Sequence, residues 1–411
     1  LGGEHVGEFL RVVLAGAELE VTHPESFDSF RPKSSPRSAY IHIPFCRQRC
    51  GYCNFALVAD RDRLINPFLD ALETELGWLD REFELDTLFL GGGTPSHLNE
   101  QQLERLAAII GSRFSLTTGA EFTAECNPND LNAKKAELLA GLGVNRISLG
   151  VQSFQPGKLK QLERTHGAKD VFAAIEQART FARSVSIDLI FAAPNETMEQ
   201  WEWDLKTALS ARPDHVSAYE LTFEPGTQFF NRLKKGKLNE ADEELRRVMY
   251  ETAIEKLATG GFLQYEVSSF ARSEHRCQHN LIYWSGNPYF AFGPGASRFV
   301  DGVRETNHSG TSRYINRVLQ QKSPVVDRDV ASGRDRAIEL LWVGLRRNDG
   351  WDCNQFREKT GFGIPELLSE LLPSLANRGL VEIDSHFRLT AEGRMVADWV
   401  TSEIHDLSSG D

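Results

Sequence analysis

Apolar positions follow two alternating rhythms along this chain. Short apolar-rich runs recur at Ala39–Ile43, Thr87–Leu90, Phe122–Ala124, Arg146–Leu149, Val185–Ile190 and His215–Tyr219. They are strand-sized and too brief for helices. Between them lie longer segments whose apolar residues return every three or four positions. In residues 65–81 these are Ile65, Phe68, Leu69, Leu72, Leu76 and Leu79, one side of an amphipathic helix. Helical spacing recurs at 100–113, 132–142, 156–163, 169–183 and 198–210. Six strand–helix units in succession predict an α/β fold built on a parallel sheet. Six units rather than eight predict an open, partial barrel.

In parallel α/β sheets the functional groups gather at the C-terminal ends of the strands. Four unusual features fall there. A cysteine loop follows the first strand, and Gly91-Gly92-Gly93-Thr94-Pro95 follows the second. Glu125 ends the third, and Gln152 follows the fourth. The alternation therefore predicts one rim carrying all four.

The cysteine loop reads AYIHIPFCRQRCGYCNF over residues 39–55, with Cys46, Cys50 and Cys53 at C-x3-C-x2-C. Soft thiolates at this spacing suit three corners of a 4Fe–4S cluster. Three buried or zinc-binding cysteines are the plainer alternative, but no second C-x2-C or His pair lies nearby to complete a zinc site. The position two after Cys53 is Phe55, so the fourth iron is left open for a small molecule. The glycine run lets a ligand approach the backbone. Glu125 suits a ribose diol, Gln152 both donates and accepts, and Arg164 suits a carboxylate in bidentate fashion. Asp188 stands in an otherwise apolar strand, where an unpaired carboxylate is costly.

This pattern resembles the radical S-adenosylmethionine (SAM) superfamily. The flanking YIHIPFC and CNF resemble the branch holding the oxygen-independent coproporphyrinogen III dehydrogenases and the HemW-type haem chaperones. The resemblance implies a radical-SAM partial (β/α)6 barrel whose 4Fe–4S cluster, on Cys46, Cys50 and Cys53, has its open iron chelated by SAM. It also implies SAM contacts from Tyr40, Tyr52, Gly92, Gly93, Thr94, Glu125, Gln152, Arg164 and Asp188. Tyr40 and Tyr52 serve equally well as core that shields the cluster. Phe191-Ala192-Ala193-Pro194 departs from the family, which usually has Gly and Leu before that Pro. If SAM is cleaved, one electron from the cluster would break its S–C5′ bond and leave a 5′-deoxyadenosyl radical.

Further on, Gln278-His279-Asn280-Leu281-Ile282-Tyr283-Trp284 concentrates unusual chemistry. Its His-Asn-x-x-Tyr-Trp pattern resembles a marker of the HemW-type branch and implies haem contacts from His279, Asn280, Tyr283 and Trp284. A His-Asn pair that staples a loop under the domain is the alternative. The dehydrogenase pattern adds a fourth cysteine where Phe55 stands. The resemblance therefore favours haem binding and delivery to an acceptor protein, without coproporphyrinogen dehydrogenase activity. Oxidative decarboxylation of coproporphyrinogen III is the competing reading.

Residues 331–411 change rhythm. Helical patterns at 335–347, 353–359 and 364–378 precede a hairpin around Asp384-Ser385 and a last helix over 391–404. This predicts a winged-helix-like α+β domain. Its acidic residues, Glu366, Glu370, Glu382, Asp384 and Glu392, favour a partner or lid role over DNA binding. The expected organisation is an N-terminal extension (1–37), the barrel (38–235), a barrel extension with the His motif (236–330) and this domain (331–411). Residues 1–37 read as a flexible extension, and a short helix over 6–19 is the alternative.

Composition adds exclusions. A net charge of −12 over 411 residues argues against a nucleic-acid footprint. No apolar run reaches the roughly 18 residues of a membrane span. Six cysteines, three of them clustered, do not make a disulfide framework. An open iron needs a reducing compartment and an electron donor, so the expectation is cytoplasmic. Cys126 and Cys353 read as core residues.

Overall fold

The computed structural model describes residues 32–331 and 333–408. The expected extension before residue 32, including the alternative helix over 6–19, lies outside the described residues. Six parallel strands form the centre: β1 (Ser38–Ile43), β2 (Phe83–Gly92), β3 (Phe114–Cys126), β4 (Arg146–Gln152), β5 (Ser184–Phe191) and β6 (His215–Glu220). Three later strands, β7 (Leu263–Glu266), β8 (Ser269–Ala271) and β9 (Phe290–Phe292), join the same sheet. The order is β9-β1-β2-β3-β4-β5-β6-β8-β7. β9 runs parallel to β1, while β8 is antiparallel to β6 and β7 to β8. β9 and β7 are the two free ends of the sheet, so the barrel is open.

Strand alternation divides the two faces of the sheet by chemistry. Ala39, Ile41, Ile43, Leu90, Ala124, Ile147, Leu149, Ile187 and Leu189 are almost fully buried in one apolar core with the surrounding helices. The intervening positions are polar: His42, Thr123, Glu125, Ser148, Asp188 and Ser217. Parallel strands covered on both faces are usually apolar throughout. Here one face is reserved for polar groups, and that face carries the site.

The helices form as their spacing predicts. Ile65–Gly77 buries Ile65, Phe68, Leu69, Leu72 and Leu76, and Pro67 is tolerated because it sits in the first turn. Asn99 and Gln102 make a capping box for Glu100–Gly111, and Thr197 and Gln200 make another for Met198–Ser210. Glu75 breaks the apolar stripe. Its carboxylate accepts from Tyr314 Oη at 2.6 Å, Asn307 Nδ2 at 2.7 Å and the Gly293 amide at 3.0 Å. Those partners belong to a three-stranded sheet (Ser297–Val300, Val303–Asn307, Val325–Asp329), the helix Thr311–Leu319 and the loop after β9. One buried carboxyl group thus fastens the barrel to its extension.

The C-terminal part has its own core around Ile338, Leu341, Phe356, Leu375, Phe387 and Val400. Its small sheet orders Trp351–Asp352, His386–Leu389 and Val381–Ile383. The expected helix over 364–378 is two pieces, Ile364–Leu367 and Leu371–Asn377, and the last helix breaks at Val396. The hairpin turn lies at Asp384-Ser385, where the sequence puts it.

Candidate active site

The three cysteines lie in one cleft at the C-terminal rim. Its walls include Cys46, Cys50, Cys53, Tyr52, Gly92, Gly93, Thr94, Glu125, Gln152, Arg164 and Asp188. All but one of the predicted cluster and SAM residues are therefore brought together. The exception is Tyr40, which does not line this cleft. Its hydroxyl is 3.1 Å from His42 Nδ1, and its ring packs on Phe89.

The loop is held from both sides. The Gly93 amide donates to Ile43 O at 2.8 Å and the Thr94 amide to Phe45 O at 2.8 Å, so the glycine run closes on the strand that launches the cysteines. Gly91 and Gly92 belong to β2 rather than to a loop after it. A Cβ on Gly92 would collide with the His42 ring, and Gly92 also has φ +105, so glycine is required there. A Cβ on Gly93 would meet backbone atoms of Ile43 and Phe45 within 3 Å. Gln152, which lines the cleft, has left-handed backbone at φ 64, as do Glu163, beside the lining residue Arg164, at φ 58 and Ala192, after β5, at φ 61. Backbone strain of this kind clusters at functional sites. Ala192 lies in the loop where the sequence departs from the family pattern.

The loop after β4 is fixed from beneath. Lys158 pairs with Glu196 and Asp204 in a buried triad, and Asp204 also accepts from Ser153 Oγ at 2.7 Å and the Phe154 amide at 2.9 Å. The β4–β5 register slips between Leu149 and Gln152, an irregularity that re-aims the strand end.

Burial sets the electrostatics. It pushes the Cys46 thiol up to about 11, against a hydrogen bond to Thr94 Oγ1 at 3.2 Å. It also raises Cys53. Burial lifts Glu125 to about 8, and the charge of Asp188 adds to the shift, while the Gly92 amide at 2.9 Å opposes it. Asp188 rises to about 6 by burial, restrained by Ser217 and by Ser148 Oγ at 3.3 Å. Two carboxyl groups stand on the polar face, half-buried and raised.

Three thiols lining one cleft are the soft donor set that an iron–sulfur cluster takes. Among the described residues, no three His, Cys, Asp or Glu side chains converge on one point as a mononuclear site requires. Cys46, Cys50 and Cys53 reach the shared cleft from one short loop.

The rest of the predicted set lies elsewhere. Residues Gln278–Trp284 form a helix, which the sequence reading leaves unassigned. Glu121 caps it, accepting from the Gln278 and His279 amides at 3.0 Å each. His279 is 1% exposed, and both its ring nitrogens are engaged: Nδ1 with Thr87 Oγ1 at 2.8 Å, Nε2 with Tyr283 Oη at 2.7 Å. Burial lowers its pKa to about 3. An iron at either nitrogen would have to displace a hydrogen bond, and the ring staples the helix to β2. Asn280, Tyr283 and Trp284 are half-buried, and among the described residues Trp284 Nε1 has no hydrogen-bond partner. Cys126, expected in the core, is buried but also lines the cleft. Asn127 and Ser148 are functional candidates that sequence reasoning missed. Ser148 alternates with apolar neighbours on β4, a signal that could have found it.

An open parallel barrel with three thiols, a glycine strand end and a raised carboxylate pair on one rim defines a radical SAM protein. The model of the radical SAM superfamily matches residues 40–208, and that of the HemN C-terminal domain matches residues 331–396. The heme chaperone HemW of Bacillus subtilis is 36% identical over 370 residues, 89% of this chain and 98% of that protein. Escherichia coli HemW is 32% identical, covering 88% of this chain and 96% of its own. The zebrafish (Danio rerio) mitochondrial radical S-adenosyl methionine domain-containing protein 1 is 34% identical, covering 89% and 86%. Among solved structures, Escherichia coli coproporphyrinogen III oxidase (HemN) superposes with a TM-score of 0.78 at 23% identity, over 97% of this chain and 92% of that one. That likeness establishes the fold. The chain belongs to the HemW family of radical SAM proteins.

Proposed function

We propose that this protein binds haem and passes it to an acceptor protein, using a barrel that also holds a 4Fe–4S cluster and SAM. The observation that carries the reading is identity of 36% along 98% of a relative named as a heme chaperone. Phe55 supports it. That residue lines the cleft and is 56% exposed, where the dehydrogenase pattern has a fourth cysteine.

In this reading Cys46, Cys50 and Cys53 hold the cluster. Gly92, Gly93 and Thr94 approach the amino end of SAM, Glu125 its ribose, and Arg164 its carboxylate. Gln152, Asp188 and Tyr52 complete the wall. When bound, the cluster would supply the single electron that cleaves SAM. The chain's own part is to hold the thiols apart, present backbone at Gly92 and Gly93, and keep Glu125 and Asp188 raised. His279, Asn280, Tyr283 and Trp284 are the candidate haem contacts, and His279 Nε2 lies 2.7 Å from Tyr283 Oη. An electron donor and a reducing compartment, the cytoplasm, complete the scheme. Among the described residues no helix is long and apolar enough to cross a membrane.

The test is haemin titration of the reconstituted protein, followed through the Soret band, alongside an anaerobic coproporphyrinogen III decarboxylation assay. Stoichiometric haem binding without decarboxylation is expected. Decarboxylation of coproporphyrinogen III would overturn the chaperone assignment.

A further inference from the structure

Asn127 follows the last residue of β3 and precedes Pro128. An Asn in that position ordinarily caps the helical turn that the proline opens. Here it does not: the turn Pro128–Asp130 has no side-chain cap from Asn127. The amide points into the cleft instead, where Asn127 is one of the lining residues. Its backbone is pinned by Ser96, whose buried hydroxyl accepts from the Asn127 amide N–H at 3.1 Å.

The side-chain partners fix which way the amide faces. Arg164 Nη2 lies 2.5 Å from Asn127 Oδ1. A guanidinium only donates, so Oδ1 is the acceptor and Nδ2 the donor. Nδ2 then donates to Thr94 Oγ1 at 3.2 Å. The Thr94 hydroxyl keeps its proton, and donates it to Cys46 Sγ, 3.2 Å away, when that sulfur is a thiolate. On the other side, Arg164 Nη1 donates toward Cys50 Sγ at 3.6 Å, and its Nη2 is also anchored on Gly150 O at 2.8 Å. One amide therefore orients a hydroxyl toward one cysteine sulfur and a guanidinium toward another. The arc runs Cys46–Thr94–Asn127–Arg164–Cys50.

From this arc we infer that Asn127 is a positioning residue for the cluster. It holds two side-chain donors that face two of the three ligand sulfurs, and Tyr52 faces Cys50 independently of it. Hydrogen bonds to cluster sulfurs stabilise the more negative, reduced state and so raise the reduction potential. The inference rests on the reading of Cys46, Cys50 and Cys53 as cluster ligands. It extends that reading to a residue with no contact to iron.

The test is anaerobic redox titration of the reconstituted full chain, followed by electron paramagnetic resonance with and without SAM. The variants are Asn127→Ala, Thr94→Val and Asn127→Gln. Wild type must first show about four iron and four sulfide per chain and a reduced-cluster signal. If it does not, the parent reading fails. Given that signal, Asn127→Ala should lower the reduced-to-oxidised ratio at fixed potential by about tenfold, equivalent to 59 mV for one electron. Thr94→Val, which keeps the shape but removes one sulfur donor, should shift in the same direction by less. Asn127→Gln, which keeps both hydrogen-bonding functions, should recover part of the loss. Cluster content near wild type in Thr94→Val keeps the test open if Asn127→Ala folds poorly. Wild-type potentials in both Asn127→Ala and Thr94→Val would overturn the assignment.

Discussion

At the scale of single residues, the site is set by where polar groups are made to stand. Glu125 and Asp188 occupy alternate positions on strands whose other faces are apolar, so their carboxyl groups share the hollow side of the sheet. The same burial makes Glu125 a reporter of pH. Its folded pKa is about 8, against 4.5 for an ordinary glutamate. Between these values the folded chain holds a proton that the unfolded chain has released. The stability linked to Glu125 is therefore fully present below about pH 4.5 and is lost as pH rises through about 8. Glu125→Gln keeps an acceptor for the Gly92 amide and abolishes this titration. Between pH 5 and 8 its urea midpoint should fall less than that of wild type; parallel slopes would contradict the burial argument. Glu125, Asp188 and the three cysteines were legible in the sequence, because each breaks a local pattern. Asn127 was not, because Asn before Pro has an ordinary structural use. Only the missing cap hydrogen bond and the forced amide orientation separate the two roles.

At the scale of elements, polar exceptions inside apolar stripes do the fastening. Glu75 interrupts the buried face of Ile65–Gly77 and satisfies three donors from other elements. Glu75→Ala would leave the Tyr314 hydroxyl and the Gly293 amide buried and unpaired, while Asn307 Nδ2 keeps Gly293 O at 3.0 Å, at a cost on the order of 3 kcal/mol. Glu75→Gln, which still accepts but adds an amide to be satisfied, should cost less, about 1–2 kcal/mol. Chemical denaturation of the two variants checks this, and equal small losses would show the network to be peripheral. His279 belongs to the same class. Its neighbours in sequence suggest a ligand, and its partners Thr87 and Tyr283 make it a staple. Tyr283→Phe should then weaken haem binding more than His279→Gln, measured by haemin titration. The reverse order would make His279 a direct haem contact rather than a staple. Helix spacing and strand alternation foretold most of these elements. The motif helix Gln278–Trp284 escaped because seven residues hold too few periods for its rhythm to show.

At the scale of the whole molecule, the architecture separates two tasks. The apolar face of the sheet, with its helices, supplies the core. The polar face and its open rim supply the site, and the barrel extension and the C-terminal part are joined on without closing it. The six-strand core was readable from the chain's alternation. The three further strands were not, because β7, β8 and β9 are only three or four residues long and owe their place to pairing partners distant in sequence. The central claim is that Cys46, Cys50 and Cys53 hold a 4Fe–4S cluster with one iron left for SAM. The most direct measurement is electron paramagnetic resonance of the anaerobically reconstituted, dithionite-reduced protein before and after SAM is added. A reduced 4Fe–4S signal whose g-values move on adding SAM, and which is lost in Cys50→Ser, is expected; a signal indifferent to SAM, or no 4Fe–4S signal at all, would contradict three-cysteine ligation with an open iron.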